Sequence, residues 1–138
     1  MGANESKGAT ATRWGAKGVA IGIFAYVGVV PKLIAPSMSE PLVERLSSFG
    51  GRVAVTGIGV MELAAIVLLL IPGTARFGAL LGVAMMLGAV GAHFGPVGFE
   101  GDFAGVFAMA LVALAASVVA AVLEWKRHAS GGGVSDVR

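Results

Sequence analysis

Four long apolar segments follow one another along the chain, separated by short polar or proline-glycine connections. The second segment, Val53 to Ile71, is nineteen residues long, which at about 1.5 Å per residue is enough to cross the hydrocarbon core of a bilayer. The other three run from Gly18 to Ile34, from Phe77 to Phe94 and from Phe103 to Leu123. The pattern predicts four membrane-spanning helices.

Proline and glycine mark the ends of these helices. The turn Pro72-Gly73-Thr74 closes the second segment, and Gly95-Pro96 ends the third. Pro31 lies inside the first segment and is expected to kink or end its regular part, because proline lacks a backbone donor and clashes with the preceding turn. We expect this segment to stay in the protein as a helix, since Ala35-Pro36 makes a poor signal-peptide cleavage site.

The connection between the first two spans has a helical pattern of its own. Its apolar residues recur at helical spacing, opposite charged and polar positions, and they are Leu42, Val43, Leu46 and Phe49. This pattern favours a short amphipathic helix on the outer face of the membrane, although a structured loop fits equally well. The predicted fold is therefore all-α, a four-helix transmembrane bundle with a short amphipathic helix between helices one and two. A disordered lead (1–13) and a disordered tail (128–138) flank the membrane domain (14–127).

Composition agrees with a membrane protein and excludes several functions. Hydrophobic residues make up 57% of the chain and charged residues 13%, against about 25% charged in soluble proteins. With no cysteine, the chain has no disulfide and no thiolate metal site. We expect no metal site and no nucleotide site, because the few histidines and carboxylates are scattered and no phosphate loop is present. The net charge of +2 and the lack of a basic run among aromatics argue against nucleic acid as a partner.

Lysine and arginine are distributed unevenly between the two sides of the membrane. With four spans, the termini and the turn after Pro72 share one side, which holds Lys7, Arg13, Lys17, Arg76, Lys126, Arg127 and Arg138. The opposite side has only Lys32, Arg45 and Arg52, with Glu40 and Glu44 beside them. The positive-inside rule then predicts that both termini are cytoplasmic.

Three polar residues interrupt the apolar segments, and Glu62, near the middle of the second, is the most informative. A carboxylate at that depth is unfavourable unless it is neutralised, paired or hydrated. Each of the three lies on a helix face of mainly small residues, where membrane helices pack together. Lys32 shares its helix face with Gly28, Ala25 and Gly18, and Glu62 shares its face with Gly59 and Ala65. His93 shares its face with Ala89, Met86 and Gly82.

Depth indicates which of these residues can meet. Lys32 and His93 are near the outer ends of their helices, and Glu62 is about 14 Å in from the outer start of its helix. We expect Lys32 and Glu62 to approach within one water, with a direct pair left open, and Tyr26 to be able to reach the same layer. The alternatives are that Lys32 extends to the outer interface, that His93 is simply interfacial, and that Glu62 is a protonated structural residue.

The order of these features resembles the DoxX-like family of small four-helix membrane proteins, over roughly Trp14 to Lys126. The resemblance rests on four short stretches: Gly28-Val29-Val30-Pro31-Lys32-Leu33, Gly59-Val60-Met61-Glu62-Leu63, Pro72-Gly73-Thr74-Ala75-Arg76 and Ala89-Val90-Gly91-Ala92-His93-Phe94. It implies a bundle in a bacterial plasma membrane, with functional positions at Lys32, Glu62 and His93. Some members resemble subunits of quinone-linked oxidoreductases that act on sulfur compounds, others associate with redox-defence partners, and a eukaryotic branch resembles a receptor assembly chaperone. Because the chain has no cysteine, it cannot supply the thiols that some versions of this function would need on this subunit.

Three functional hypotheses follow. In the first, the protein is a redox accessory that binds a quinone between its helices; Lys32, His93 and Tyr26 contact the ligand, and Glu62 is the catalytic acid that accepts or delivers a proton. Since the chain has no recognisable redox centre, it would be an enzyme only as a subunit of a quinone-linked oxidoreductase. In the second, it is a scaffold or assembly factor. In the third, it is a small proton-coupled transporter. The expected partners are the lipid bilayer and either other subunits or further copies of the chain.

Overall fold

The computed structural model describes residues 6–131, which are predominantly helical, with short turns between the helices and no strand among these residues. Five α-helices are present: α1 (Lys7–Ile23), α2 (Glu40–Arg45), α3 (Arg52–Leu70), α4 (Ala75–His93) and α5 (Phe103–Gly131). Helix α1 continues without a break as a π-helix over Phe24–Ile34. The predicted all-α class is confirmed.

Four helices are long and apolar enough to cross a membrane: Lys7–Ile34, Arg52–Leu70, Ala75–His93 and Phe103–Ser130. They form a bundle in which α4 packs between α3 and α5, and the first span closes the ring from the other side. This arrangement is that of a multi-pass membrane protein. Because the side of the membrane on which each end lies is a prediction, the two ends of the bundle are named after the structural features that they carry. The terminal end carries Lys7 and Gly131, and the loop end carries α2.

The first span changes its winding well before the proline that was expected to disturb it. The α-helical part ends at Ile23, and the π-helix then runs through Pro31 as far as Ile34. A proline ring clashes with the carbonyl four residues back in an α-helix. In the wider π turn the backbone bonds five residues back, as Ala35 N does to Val30 O over 2.7 Å. The span therefore continues past Pro31, and the expected kink or end at that residue is replaced by a wider helix.

The centre of the bundle is built from small side chains, and alanine is the commonest residue in the buried cluster (Ala20, Phe24, Ala65, Leu69, Ala79, Met86, Ala110, Ala113 and Ala120). Two glycines of α4 set the helix separation. A Cβ on Gly78 would lie 2.7 Å from the Leu69 nitrogen, and one on Gly82 would lie 2.7 Å from Ser117 Oγ. Because lipid is as apolar as these side chains, close van der Waals packing is what holds such helices together.

The first and last helices are longer than expected at the terminal end. Ser6 caps α1 by accepting a hydrogen bond from Ala9 N at 3.2 Å, so residues 7–13 are helical although they were assigned to the disordered lead. Helix α5 likewise runs to Gly131, four residues past the predicted domain end at residue 127. The rest of the predicted lead and tail lies outside the described residues. Both helices therefore extend beyond the turn that joins α3 to α4.

The loop end is closed by the segment between the first span and α3. Leu46 is buried against Val55 and Val97, whereas Phe49 is 65% exposed. The predicted amphipathic helix is thus present only in part, as α2, which ends at Arg45 and has Leu46 as its C-cap residue. Phe49 lies in a separate 3-10 turn over Ser47–Phe49. Arg45 fixes the segment to the opposite loop, since it donates to Val97 O at 2.8 Å and to Glu100 Oε2 at 3.0 Å.

Candidate functional site

Lys32 and Glu62 form a direct ion pair inside the bundle. The Lys32 ammonium donates to Glu62 Oε1 at 2.8 Å and to Oε2 at 2.7 Å. Only 8% of Lys32 and 4% of Glu62 is exposed. The sequence predicted an approach to within one water, and the structure brings the two side chains into contact. Lys32 therefore does not extend to the outer interface.

Two glycines make this contact possible. A Cβ on Gly28 would lie 2.3 Å from Glu62 Oε2, and one on Gly59 would lie 2.9 Å from the Lys32 Cβ. Glu62 thus fills the space beside Gly28, and Lys32 passes over Gly59. Each partner rests on a glycine of the opposite helix, so the backbones can approach closely enough for the short Glu62 side chain to reach the ammonium.

We expect Gly28→Ala to destabilise the protein by about 1–3 kcal/mol, because the added methyl group displaces a carboxylate that Lys32 holds in place. The measurement is the free energy of unfolding of the detergent-solubilised protein. Gly22→Ala is the matched control in the same span, because a Cβ there meets nothing within 4 Å. Equal stability of the two variants would show that the Glu62 carboxylate moves aside at no cost.

A cavity of about 60 Å³ adjoins the pair. Its walls are mainly apolar and come from the first span, α4 and α5; the residues are Ile23, Phe24, Val27, Met86, Ala89, Val106 and Ala110, with Lys32 and Glu62 at the polar end. The Lys32 ammonium has three donors, and two are assigned to Glu62. The third has no acceptor among the described residues, so it is available to an oxygen atom placed in the cavity.

The cavity lies where the first span separates from α5. The α-helical half of that span packs against α5, whereas the π-helical half packs mainly against α3. The change begins at Phe24, which with Ile23 and Val27 lines the cavity. The π-helix thus has two effects, because it brings Lys32 to Glu62 and loosens the contact with α5 in the half of the bundle that contains the pair.

His93 is buried one helical turn beyond the cavity wall residue Ala89, towards the loop end. Only 4% of His93 is exposed, and its ring lies 5.2 Å from that of Phe107 and 5.8 Å from that of Phe99. The Nδ1 atom is 2.7 Å from the Ala89 carbonyl oxygen. Since a carbonyl only accepts, Nδ1 carries a hydrogen and donates it to Ala89. The Nε2 atom is buried without a partner in the described part of the chain.

The four residues proposed from sequence are therefore not all in one place. Lys32 and Glu62 are in contact, and His93 lies in a separate aromatic layer and does not line the cavity. Tyr26 is 71% exposed, so the structure does not bring it to the Lys32–Glu62 layer. The prediction for Tyr26 was based on its depth along the first span, and depth alone does not give the face of the helix on which a side chain lies. Phe24, Gly28 and Lys32 are the buried residues of the π-helix.

The structure contains a second buried ion pair that sequence reasoning missed. Lys17 Nζ lies 2.9 Å from Glu124 Oε1, and the two side chains are 1% and 2% exposed. Arg13 Nε is 3.7 Å from the same oxygen, and Arg127 is 3.6 Å from Oε2. A signal was available, since Arg13 and Lys17 are four residues apart on one helix face and Glu124 directly follows the last apolar run. It was missed because residues 1–13 were treated as disordered and the fourth segment was ended at Leu123.

No protein-family model matches the chain, and neither a curated protein nor a solved structure is detectably similar to it. Among residues 6–131, no three histidine, aspartate or glutamate side chains are grouped so that they could hold a metal ion. Arguments about function therefore rest on the geometry of the Lys32–Glu62 pair, the adjoining cavity and the sequence resemblance described above.

Proposed function

We propose that this chain is a DoxX-like plasma-membrane protein that binds the polar head of a small lipophilic molecule, such as a quinone, beside the Lys32–Glu62 pair. The observation that supports the proposal is that Lys32, which makes two hydrogen bonds to Glu62 and has a third donor without an acceptor among the described residues, lines an apolar cavity. A carbonyl oxygen is the acceptor that such a donor suits. Intramembrane ionisable residues are usually functional, which favours this interpretation over a passive role for both residues.

The cavity volume limits what binds without rearrangement. Its 60 Å³ exceeds the 10–15 Å³ that one water needs, but an apolar cavity that binds benzene measures about 150 Å³. A quinone ring therefore requires the cavity to widen. The weak contact between the π-helical half of the first span and α5 is where we expect this to happen. The tail of the ligand would then leave between these two helices into the lipid.

Each residue has a distinct part in this proposal. Lys32 donates to the ligand oxygen, and Glu62 holds the ammonium in place and is positioned to exchange a proton through it. His93 lies beyond Ala89 towards the loop end and does not line the cavity, so it would contact only a ligand that reaches past Ala89. Tyr26 leaves the proposed set because it faces away. The electrons would come from a partner subunit, which makes this chain an accessory of an oxidoreductase.

The test is ligand-induced stabilisation. A benzoquinone with a short alkyl tail is added to the purified protein in detergent, and the melting temperature is recorded. At one hundred times its Kd a ligand stabilises the native state by about 2.7 kcal/mol, so a clear rise is expected for the wild type. The double variant Lys32→Met/Glu62→Met is expected to fold and show no rise. An equal rise in both proteins, or an equal rise with an alcohol of the same tail length, would contradict the proposal.

A scaffold role is the second candidate, and a specific observation favours it. Both Glu62 oxygens are already satisfied by Lys32, and Gly28 and Gly59 fit around the pair, which is how a residue pair that only fixes helix packing would look. Mass spectrometry of the gently extracted native protein separates the two functions. A bound small molecule that the double variant loses supports the ligand site, whereas a co-purifying subunit that the double variant retains supports the scaffold.

A further inference from the structure

The two ends of the bundle differ strongly in charge. Within residues 6–130, the terminal end has a single acidic residue, Glu124, and six lysine and arginine residues, which are Lys7, Arg13, Lys17, Arg76, Lys126 and Arg127. At the loop end, Arg45 pairs with Glu100 and Arg52 pairs with Glu40, and Glu44 and Asp102 add further negative charge. The terminal end therefore has a large excess of positive charge that the described residues do not neutralise.

Four of these cations are grouped around Glu124 and are called here the Glu124 cluster: Arg13, Lys17, Arg76 and Arg127. Three of them lie within 4 Å of its carboxylate. The fourth, Arg76, lies 5.7 Å from the ring of Trp125, the residue that follows Glu124. Three cations thus lie at the Glu124 carboxylate, and Arg76 lies beside the next side chain in the chain. The Arg76 Nε is buried and has no hydrogen-bond partner in the described part of the chain.

Two tryptophans indicate that the Glu124 cluster lies at the membrane boundary. Trp14 and Trp125 are each about half exposed, at 49% and 53%, and tryptophan favours the headgroup level of a bilayer. Lys17 Nζ lies 4.1 Å from the Trp14 ring. The turn joining α3 to α4 ends at Thr74, and Arg76 is the second residue of α4. The cluster therefore occupies the layer where lipid phosphates are found.

We propose that the Glu124 cluster binds the phosphate group of an anionic phospholipid. Lys17 and Arg13 are buried and hold Glu124, so they form the inner support of the site. Arg127 is 46% exposed, and Arg76 is partly exposed, so their guanidinium groups are the ones that reach a headgroup. Guanidinium is the side chain best matched to phosphate oxygens. An anionic lipid supplies the negative charge that the cluster lacks, and a zwitterionic lipid does not.

The experiment uses native mass spectrometry of the full chain released from mixed bilayers of phosphatidylglycerol and phosphatidylcholine. Wild-type protein is expected to retain phosphatidylglycerol preferentially. Because a hydrogen bond to a charged group contributes about 1.5–3 kcal/mol, Arg76→Gln/Arg127→Gln should reduce the preference by about tenfold or more for each cation removed. Both residues are partly exposed, so this variant is expected to fold, and its melting temperature in detergent checks this.

The matched control is Lys7→Gln/Lys126→Gln. It removes the same charge from the same end, but both lysines are exposed and neither contacts Glu124, so the lipid preference should change little. A similar loss in both double variants would overturn the proposal, because diffuse attraction would explain the binding. Equal retention of both lipids by the wild type would also overturn it. A melting-temperature rise with inorganic phosphate, lost in Arg76→Gln/Arg127→Gln, would support the phosphate site and assign it to a soluble phosphate.

Discussion

Replacing Lys32 alone with Met is expected to destabilise the protein by about 3–5 kcal/mol, and replacing Lys32 and Glu62 together with Met is expected to cost much less. The single change leaves the Glu62 carboxylate in a site that is 4% exposed with no cation beside it. The double change replaces an ion pair with apolar side chains of similar size, which is often neutral or stabilising in a protein interior.

The two single variants should also differ from each other. Lys32 has a long side chain near the loop end of its helix, so after Glu62→Met its ammonium can extend towards the headgroups. The Glu62 side chain is short and lies deeper in the bundle, so after Lys32→Met its carboxylate cannot reach the headgroups. We therefore expect Lys32→Met to be the more damaging change. Unfolding free energies measured in mixed detergent micelles give the full double-mutant cycle.

The coupling energy is the decisive quantity in that cycle. A value well above 0.5 kcal/mol is expected for residues in direct contact. Arg45 and Glu100 form the control pair, because their side chains are 33% and 85% exposed, and exposed pairs typically contribute about 1 kcal/mol or less. Strictly additive effects of the Lys32 and Glu62 changes would mean that the pair does not form in solution.

Glu124→Gln is expected to destabilise the protein more than Lys17→Met. Among the described residues, Glu124 has three cations within 4 Å of its carboxylate, and the side chains of Arg13 and Lys17 are buried. Its loss therefore leaves two buried positive charges beside each other without this carboxylate, at a cost of several kcal/mol. After Lys17→Met, Arg13 and Arg127 still face Glu124, and the loss is smaller. The measurement is again the free energy of unfolding in micelles.

The control for this prediction is Glu44→Gln. Glu44 is exposed at the loop end, so the same chemical change there should alter the unfolding free energy by no more than about 0.5 kcal/mol. If Glu124→Gln were tolerated as well as Glu44→Gln, the Glu124 cluster would contribute nothing to the bundle. The order Lys17→Met worse than Glu124→Gln would show instead that Lys17, and not the carboxylate, organises this end.

The number of long apolar helices and the faces on which they pack could be predicted from the local pattern of the sequence, whereas the terminal ends of the first and last helices could not. Runs of about twenty apolar residues leave no alternative to helices in a bilayer, because all backbone polar groups must be satisfied within the segment. Small residues at helical spacing around Glu62 and His93 correctly predicted that both side chains are buried. These features depend only on residues close together in the chain.

Which polar groups meet depends on how the helices are rotated against one another, and this is visible only in the folded bundle. Spacing gives a residue's face and depth on its own helix, but the rotation of one helix against another depends on packing, here of Gly28 and Gly59 on the opposite side chains. The π-helix adds a change of register that no local signal except Pro31 hinted at, and it brought Lys32 to Glu62 while leaving Tyr26 outside. The Lys17–Glu124 pair depends on α1 and α5 extending past the α3–α4 turn. Polar sequence at a helix end does not reveal this, because a polar helical turn and a disordered lead have the same composition until a partner helix buries one face.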